Sequence, residues 1–341
     1  MKKHKEVKTS AQYEREKLDE RREQVLAKGR KFKYPLQYAK HRLVINTIII
    51  SVVVLILAVA AGWFALYKTQ DTGDIIYRIT QVLPVPVARV EDENVRYSDY
   101  LMIYRSSMTT VQQQSGQLGD DADAETVKTE YKRSALNNAE DYTYALKTAR
   151  ELNINVSSEE VDAAFENHRK VGGTERSEES FLKILQDNFG LTKSEYQRML
   201  YLSLIKSKVM EKIDNNAQST AKKIETLLAE NGGDLRNVAE TLGEAVQYEE
   251  TGGLVDAMNI DGGRATAAKN LQDNEISPRF ISNNGDGYYF VKLISKTDTQ
   301  VNYASLKVPF TEFSEKMKSL RSSDKIKEFI ELEKKPEQKT D

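Results

Sequence analysis

Cysteine and histidine carry much of the nucleophilic, acid–base and metal chemistry of proteins, and this chain is nearly without them. Its 341 residues hold no cysteine and three histidines, His4, His41 and His168. Without cysteine there is no thiolate nucleophile, no disulfide and no Cys-ligated metal. His4 and His41 precede a long apolar run, Leu43 to Tyr67, and His168 stands alone after it. A metal centre built on several histidines therefore has no partners to assemble from beyond that run. Most hydrolase mechanisms are removed, and the expected cofactors and metals are none.

The apolar run itself sets the topology. Its 25 residues are long enough to cross a bilayer core once as a helix. The 42 residues before it carry 14 Lys and Arg against 6 acids, with Lys40, His41 and Arg42 abutting the run. By the positive-inside rule the N-terminus stays cytoplasmic and everything after Lys68 faces outward. A cleaved signal peptide is the rival reading, because Ala58-Val59-Ala60-Ala61-Gly62 offers small residues, although leader and run are both long for one. The formal charge of -2 conceals a basic leader and a mildly acidic outer part, which excludes an obvious nucleic-acid binder. Ser10 to Lys28 alternates acids and bases and reads as a solvated or marginal helix. Lys28, Arg30, Lys31 and Lys33 beside Phe32, Tyr34 and Tyr38 form either a topology-setting flank or a surface for anionic lipid.

The outer part has room for two domains. Ile79 to Val90 contains Pro84 and Pro86, which predict an extended entry segment. Ser98 is a candidate N-cap for a helix through Leu101, Met102 and Met108, and the Gln- and Gly-rich stretch Gln112 to Asp123 predicts a loop. A long helix follows, with Val127, Tyr131, Ala135, Tyr142, Leu146 and Ala149 on one face. Ser157 with Glu160, and Thr192 with Glu195, form capping boxes ahead of two further helices, and Gly190 closes the apolar stripe Phe181, Ile184, Leu185, Phe189. After Asp214 two short helices give way to Tyr288–Ile294 and Val301–Val308, which predict an antiparallel hairpin across Ser295 to Gln300. Thr311 to Leu332, with Phe313, Met317, Leu320, Ile326, Phe329 and Ile330, predicts a closing amphipathic helix.

This order of elements resembles the membrane-anchored foldases of the SurA and PrsA type, in which a helical chaperone lobe precedes a parvulin-type peptidyl-prolyl isomerase domain. In the first lobe the likeness is carried by Pro86-Val87-Ala88-Arg89-Val90 with Val95, Ser98 and Tyr100, by Ala149 to Phe165, and by Phe181 to Lys208. In the second it is carried by Gly232-Gly233-Asp234-Leu235 with Val238-Ala239, Gly252-Gly253-Leu254, Glu275-Ile276-Ser277 and Gly287-Tyr288-Tyr289-Phe290-Val291-Lys292. The implied fold is a single transmembrane helix, an all-α chaperone lobe and an α+β parvulin-like lobe with an antiparallel sheet. The boundaries are a leader at 1–42, an anchor at 43–67, a linker and entry strand at 68–88, the helical domain at 89–213, the parvulin-like domain at 214–309, and a C-terminal helix and tail at 310–341. The implied function is a cell-membrane chaperone that binds unfolded or newly secreted polypeptides outside the cytoplasm.

Departures from the family pattern bear on catalysis. Parvulins place a His on their first strand and another in a final Gly-Tyr-His strand, and here the second position is Tyr289. The first strand is missing from its usual place, and Tyr303 to Val308, following the final strand, is the segment that could replace it, with Ser305 near the lost His. Between the Gly-Gly and Glu-Ile-Ser elements only Met258 could supply the large apolar side chain of a proline slot. Isomerisation crosses a barrier of about 20 kcal/mol without cofactor or covalent step, so catalysis rests on that slot. Tyr289, Ser305 and Met258 are thus the candidate catalytic residues of an isomerase expected to be weak or inactive. An active isomerase and a purely structural envelope scaffold are the alternatives.

Overall fold

The computed structural model describes residues 9–115, 122–171, 174–259 and 261–332. The chain forms two compact units, residues 1–69 and 70–341. In the first, α1 (Ser10–Trp63) runs unbroken for 54 residues from a capping box of Thr9 and Gln12 and ends in a π-helical turn, Phe64–Lys68. The stretch Arg42–Lys68 within it is long and apolar enough to cross a membrane. Its large aliphatic side chains, among them Leu43, Ile49 and Leu57, are exposed. The segment containing the basic cluster is helical, and its side chains from residue 30 to 41 lie outside the described set.

The second unit opens with α2 (Asp74–Val82), where the polar spacer and the proline-bearing segment predict extended chain. The prolines act one turn later than expected. Leu83 precedes Pro84 and takes extended geometry, which stops the helix, and β1 (Pro86–Val90) starts beyond it. A tight turn leads to β2 (Glu93–Arg96) and then α3 (Tyr97–Ser115), which places Ser98 inside the first turn, buried, rather than at the cap. The expected loop from Gln112 is helical as far as Ser115, and residues 116–121 lie outside the described set.

Next come α4 (Ala122–Glu151), α5 (Ser158–Arg169), the two-residue strands β3 (Lys170–Val171) and β4 (Thr174–Glu175), α6 (Glu178–Phe189) and α7 (Lys193–Ile213). Both predicted capping boxes are present, and Gly190 ends α6 in the left-handed region at φ 64°. A β-carbon there would also collide with the Thr109 hydroxyl. The buried face of α4 shares Ala135 and Ala149 with the predicted stripe and otherwise differs from it. It is made of Ala135, Leu136, Ala139, Tyr144, Ala145 and Ala149, with Glu140 in its midst, while Tyr131, Tyr142 and Leu146 are only half-buried. Alanine lets α4 approach α3 and α7 closely, so small residues mark the contact and a scan for large apolar side chains misses it. Val161 and Phe165 of α5, Phe181 and Leu185 of α6 and Leu200 of α7 form a second small core.

The remaining elements are α8 (Asn215–Glu230), α9 (Leu235–Leu242), β5 (Gln247–Glu250), β6 (Val255–Asp256), α10 (Arg264–Lys269), β7 (Phe280–Ile281), β8 (Gly287–Lys296), β9 (Gln300–Pro309), α11 (Glu312–Ser322) and β10 (Ile326–Glu328). The predicted hairpin is the longest pairing of the chain, with ten residues in each of β8 and β9. The antiparallel sheet runs β5-β9-β8-β7, with β6 also on β9. Strand alternation gives it two faces. Tyr288, Phe290, Leu306 and Val308 face α8 and α9, and Val291, Leu293 and Tyr303 face α10. Gly287 is required at the head of β8, because a β-carbon there would lie 2.4 Å from the Val308 carbonyl oxygen.

The chain then returns to the helical lobe. Phe313 of α11 meets Tyr144 edge-on at 5.4 Å. The predicted closing helix stops at Ser322, and Asp324 at φ 54° breaks it. The segment after it forms β10, antiparallel to β1, giving a sheet ordered β10-β1-β2. The first lobe is therefore not all-α. Its helices pack on a three-stranded sheet whose third strand comes from the far end of the chain.

Candidate functional site

Two places gather polar side chains against apolar walls. The first lies on the α10 side of the five-stranded sheet, where register sets Tyr289 opposite Lys307, and Ser305 between Val291 and Glu249. Directly opposed residues of antiparallel strands share a face, so Tyr289, Lys307, Ser305 and Glu249 belong to one surface. Arg264, the first residue of α10, joins them. Its Nη1 donates to Glu249 Oε2 at 2.5 Å and to Ser305 Oγ at 3.5 Å, and its guanidinium lies 5.5 Å from the Tyr289 ring centre. Its Nε donates to the Asp261 carbonyl at 2.9 Å.

The Tyr289 ring is held on several sides. Phe280 stacks at 6.0 Å, and the Lys307 ammonium sits 5.6 Å away. Lys307 pairs with Asp286 at 2.5 Å, and Ser282 donates to the same carboxylate. Tyr303 donates to Asp261 Oδ2 at 2.5 Å. Partial burial alone would raise the Asp286 carboxyl, yet the hydrogen bonds from Lys307 and Ser282 hold it below the usual range. The Tyr289 phenol is pushed up by burial and by the Asp286 charge, and the Tyr303 phenol by burial and its bond to Asp261.

Both phenols are thus neutral donors at physiological pH. The side-chain partner of Ser305 is Arg264, a donor and not a base, so the hydroxyl is not activated as a nucleophile. The surface can donate hydrogen bonds and present an aromatic face, which suits recognition or an amide rotation. Tyr289 and Ser305, two of the three sequence candidates, are therefore joined through Arg264. Met258 is half-buried in the loop after β6, and its described hydrogen bond is from its own N–H to Asp256 at 2.8 Å. No described contact joins it to the other two.

The second place is a cleft of about 170 Å³ in the helical lobe, bounded by α2 and the first turns of α3 and α7. Tyr77, Gln81, Arg96, Asp99, Met102, Glu195 and Arg198 line it. Glu195 is the organising residue. One carboxylate oxygen completes the Thr192 capping box, and the other accepts from Tyr77 Oη at 2.5 Å and Gln81 Nε2 at 3.2 Å. Burial works against its charge, but these hydrogen bonds hold the carboxyl below its usual range. Arg198 pairs with Asp99 at 2.8 Å on the cleft wall. His168, the one histidine after the apolar run, sits apart at the end of α5. Its ring nitrogen meets Tyr196 Oη at 2.5 Å, and partial desolvation beside that ring lowers its pKa although the residue is exposed.

Sequence reasoning missed Arg264, Glu140 and Asp214. The last is buried where the two lobes join, and its carboxylate serves two helices. Oδ1 accepts from Ala217 N at 2.8 Å to cap α8, and Oδ2 accepts from Thr311 N at 2.7 Å and Glu312 N at 3.2 Å at the start of α11. The first half of that role was readable, since Asp214 precedes a helix. The second joins residues far apart in sequence. Among the described residues no three His, Asp or Glu side chains converge as metal ligands would.

No curated protein matches the chain. The family model described as the SurA-like N-terminal domain matches residues 36–210. That match begins ahead of the apolar run and ends within α7, so it takes in the cleft and leaves the five-stranded sheet outside. Because it spans just over half of the sequence and the helical lobe from α2 into the last turn of α7, this chain belongs to the SurA-like N-terminal domain family.

Proposed function

We propose that this protein is a membrane-anchored extracytoplasmic chaperone that binds unfolded or newly exported polypeptides through its helical lobe. The observation that carries this reading is the family match over residues 36–210, which joins a SurA-like lobe to the apolar helix Arg42–Lys68 in one chain. The second lobe is a parvulin-like sheet with a rebuilt, weak or silent isomerase site. Its support is the pairing of β9 along the length of β8, which is what a displaced first strand requires. The ion pairs Arg264–Glu249 and Lys307–Asp286 crowd the surface where an apolar proline slot is needed.

An active isomerase is the second reading. It is favoured by the meeting of Tyr289 and Ser305 at Arg264, which offers donors to a twisted amide. A protease-coupled proline isomerisation assay on residues 71–341, run beside suppression of aggregation of an unfolded client, separates the two. The chaperone reading expects suppression with isomerisation near the uncatalysed rate. Isomerase activity lost in Tyr289→Ala or Met258→Ala would establish the enzyme. Absence of both activities would favour an envelope scaffold.

A further inference from the structure

The outer face of α2 is apolar, and among the described residues nothing covers it. Ile75, Ile79 and Val82 recur at helical spacing along one stripe, Leu83 follows, and the four are 76 %, 43 %, 81 % and 53 % exposed. The opposite face is fixed to the lobe. Tyr77 and Thr80 are buried, the Tyr77 hydroxyl donates to Glu195 at 2.5 Å, and the Arg105 guanidinium lies 5.0 Å over the Tyr77 ring while bonding the Thr72 carbonyl at 2.9 Å. The helix therefore cannot roll to hide its aliphatic stripe without giving up those bonds. A soluble surface seldom carries such a contiguous patch without a partner.

The position of the stripe in the chain selects the partner. The apolar stretch ends at Lys68 and α2 starts at Asp74, so the link between them can span at most about 22 Å. A helix so tethered to a membrane span stays within reach of the headgroup layer. Arg78, exposed between Ile75 and Ile79, can extend toward lipid phosphate while the aliphatic side chains enter the acyl boundary. Asp74, the acid on the helix itself, is engaged by Arg105. We propose that α2 lies along the outer-leaflet surface, with Ile75, Ile79, Val82 and Leu83 inserted at the headgroup–acyl boundary. This rests on the membrane-anchor reading above. Through Tyr77 and Glu195 the helix would hold one fixed face of the chaperone lobe toward the bilayer, so that the cleft is not free to tumble on a loose tether.

The absence of cysteine makes the test clean, because a single introduced thiol is the only labelling site. The full chain carrying Ile79→Cys or Val82→Cys is labelled with an environment-sensitive fluorophore and reconstituted in vesicles of phosphatidylcholine and phosphatidylglycerol. Ser51→Cys, within the apolar stretch, and Lys222→Cys, exposed on α8, serve as references. Lipids bearing a nitroxide near the glycerol backbone should quench the labels at 79 and 82 about threefold or more above that at 222. Aqueous iodide should show the reverse order. Equal iodide quenching at 79, 82 and 222, with the label at 51 quenched by lipid, would overturn the inference and spare the anchor. An unquenched label at 51 would overturn both. Shielding that arises only when an unfolded polypeptide is added would assign the stripe to the client, and shielding lost on dilution in lipid would assign it to a second copy. Either result overturns the proposal.

Discussion

Glu140 brings a carboxylate into the core of the helical lobe. It is fully buried on α4, one oxygen accepts from Arg321 at 3.1 Å, and the other has no partner among the described residues. Burial pushes its carboxyl up to about 7, more than the Arg321 charge lowers it, and Glu328 of β10 adds to the rise. An acid whose folded pKa is raised contributes stability that is full below its unfolded value and is lost as pH rises through the folded value. The window here lies between about 4.5 and about 7. Glu140→Gln should therefore match the parent in denaturant titrations at low pH and gain about 1 to 3 kcal/mol over it above neutrality. A stability difference that does not change with pH would contradict this assignment. At this scale little was legible beforehand. Tyr289 and Ser305 were found through resemblance, but Arg264 stands in a Gly- and Ala-rich stretch, and its partners Glu249 and Ser305 are brought to it only by the sheet. Glu140 is charged, so the sequence places it on a solvated face.

Among the elements, those set by signals within a few residues were readable. The Ser157 and Thr192 capping boxes, the Gly190 stop and the β8–β9 hairpin all fall into this class. Elements set by distant pairing were not. Ile326, Phe329 and Ile330 fit a helical stripe as well as a strand, and what decides is the hydrogen bonding of β10 to β1, including Phe329 N to the Val87 carbonyl at 2.9 Å. Asp214 shows how one residue links elements across the chain, since it caps α8 and binds the first N–H groups of α11. Its replacement by alanine leaves three backbone donors short of an acceptor. Asp214→Ala should cost about 2 to 4 kcal/mol in urea unfolding, and Asp214→Asn, which keeps one oxygen, should recover part of that loss. A loss in Asp214→Ala no larger than that of an exposed surface substitution would show that the junction is held by packing alone.

At the scale of the whole molecule, the second unit is closed by α11 and β10. Phe313 packs on Tyr144, Arg321 reaches Glu140 and Asp141, and Arg133 binds both Glu328 and the Leu332 carbonyl. The five-stranded sheet is thus inserted between two parts of one helical lobe. Cutting the chain after Val308 removes α11 and β10 and leaves β1 with one partner, so residues 71–308 should melt about 5 °C or more below residues 71–341. An unchanged melting curve would mean that the helical lobe stands without its closing segment. The order of lobes and the apolar helix were legible because composition changes along the chain mark them. The closure was only half legible, because an amphipathic stripe shows that a segment packs and not what it packs against.

A helical lobe that recognises unfolded chains must distinguish them from folded ones. The most direct measurement is a binding titration of the full chain, held in lipid nanodiscs, with a permanently unfolded polypeptide and with the folded form of the same polypeptide. Saturable binding of the unfolded form and none of the folded form is the expected result. Equal affinity for the two forms, or binding to neither, would contradict it.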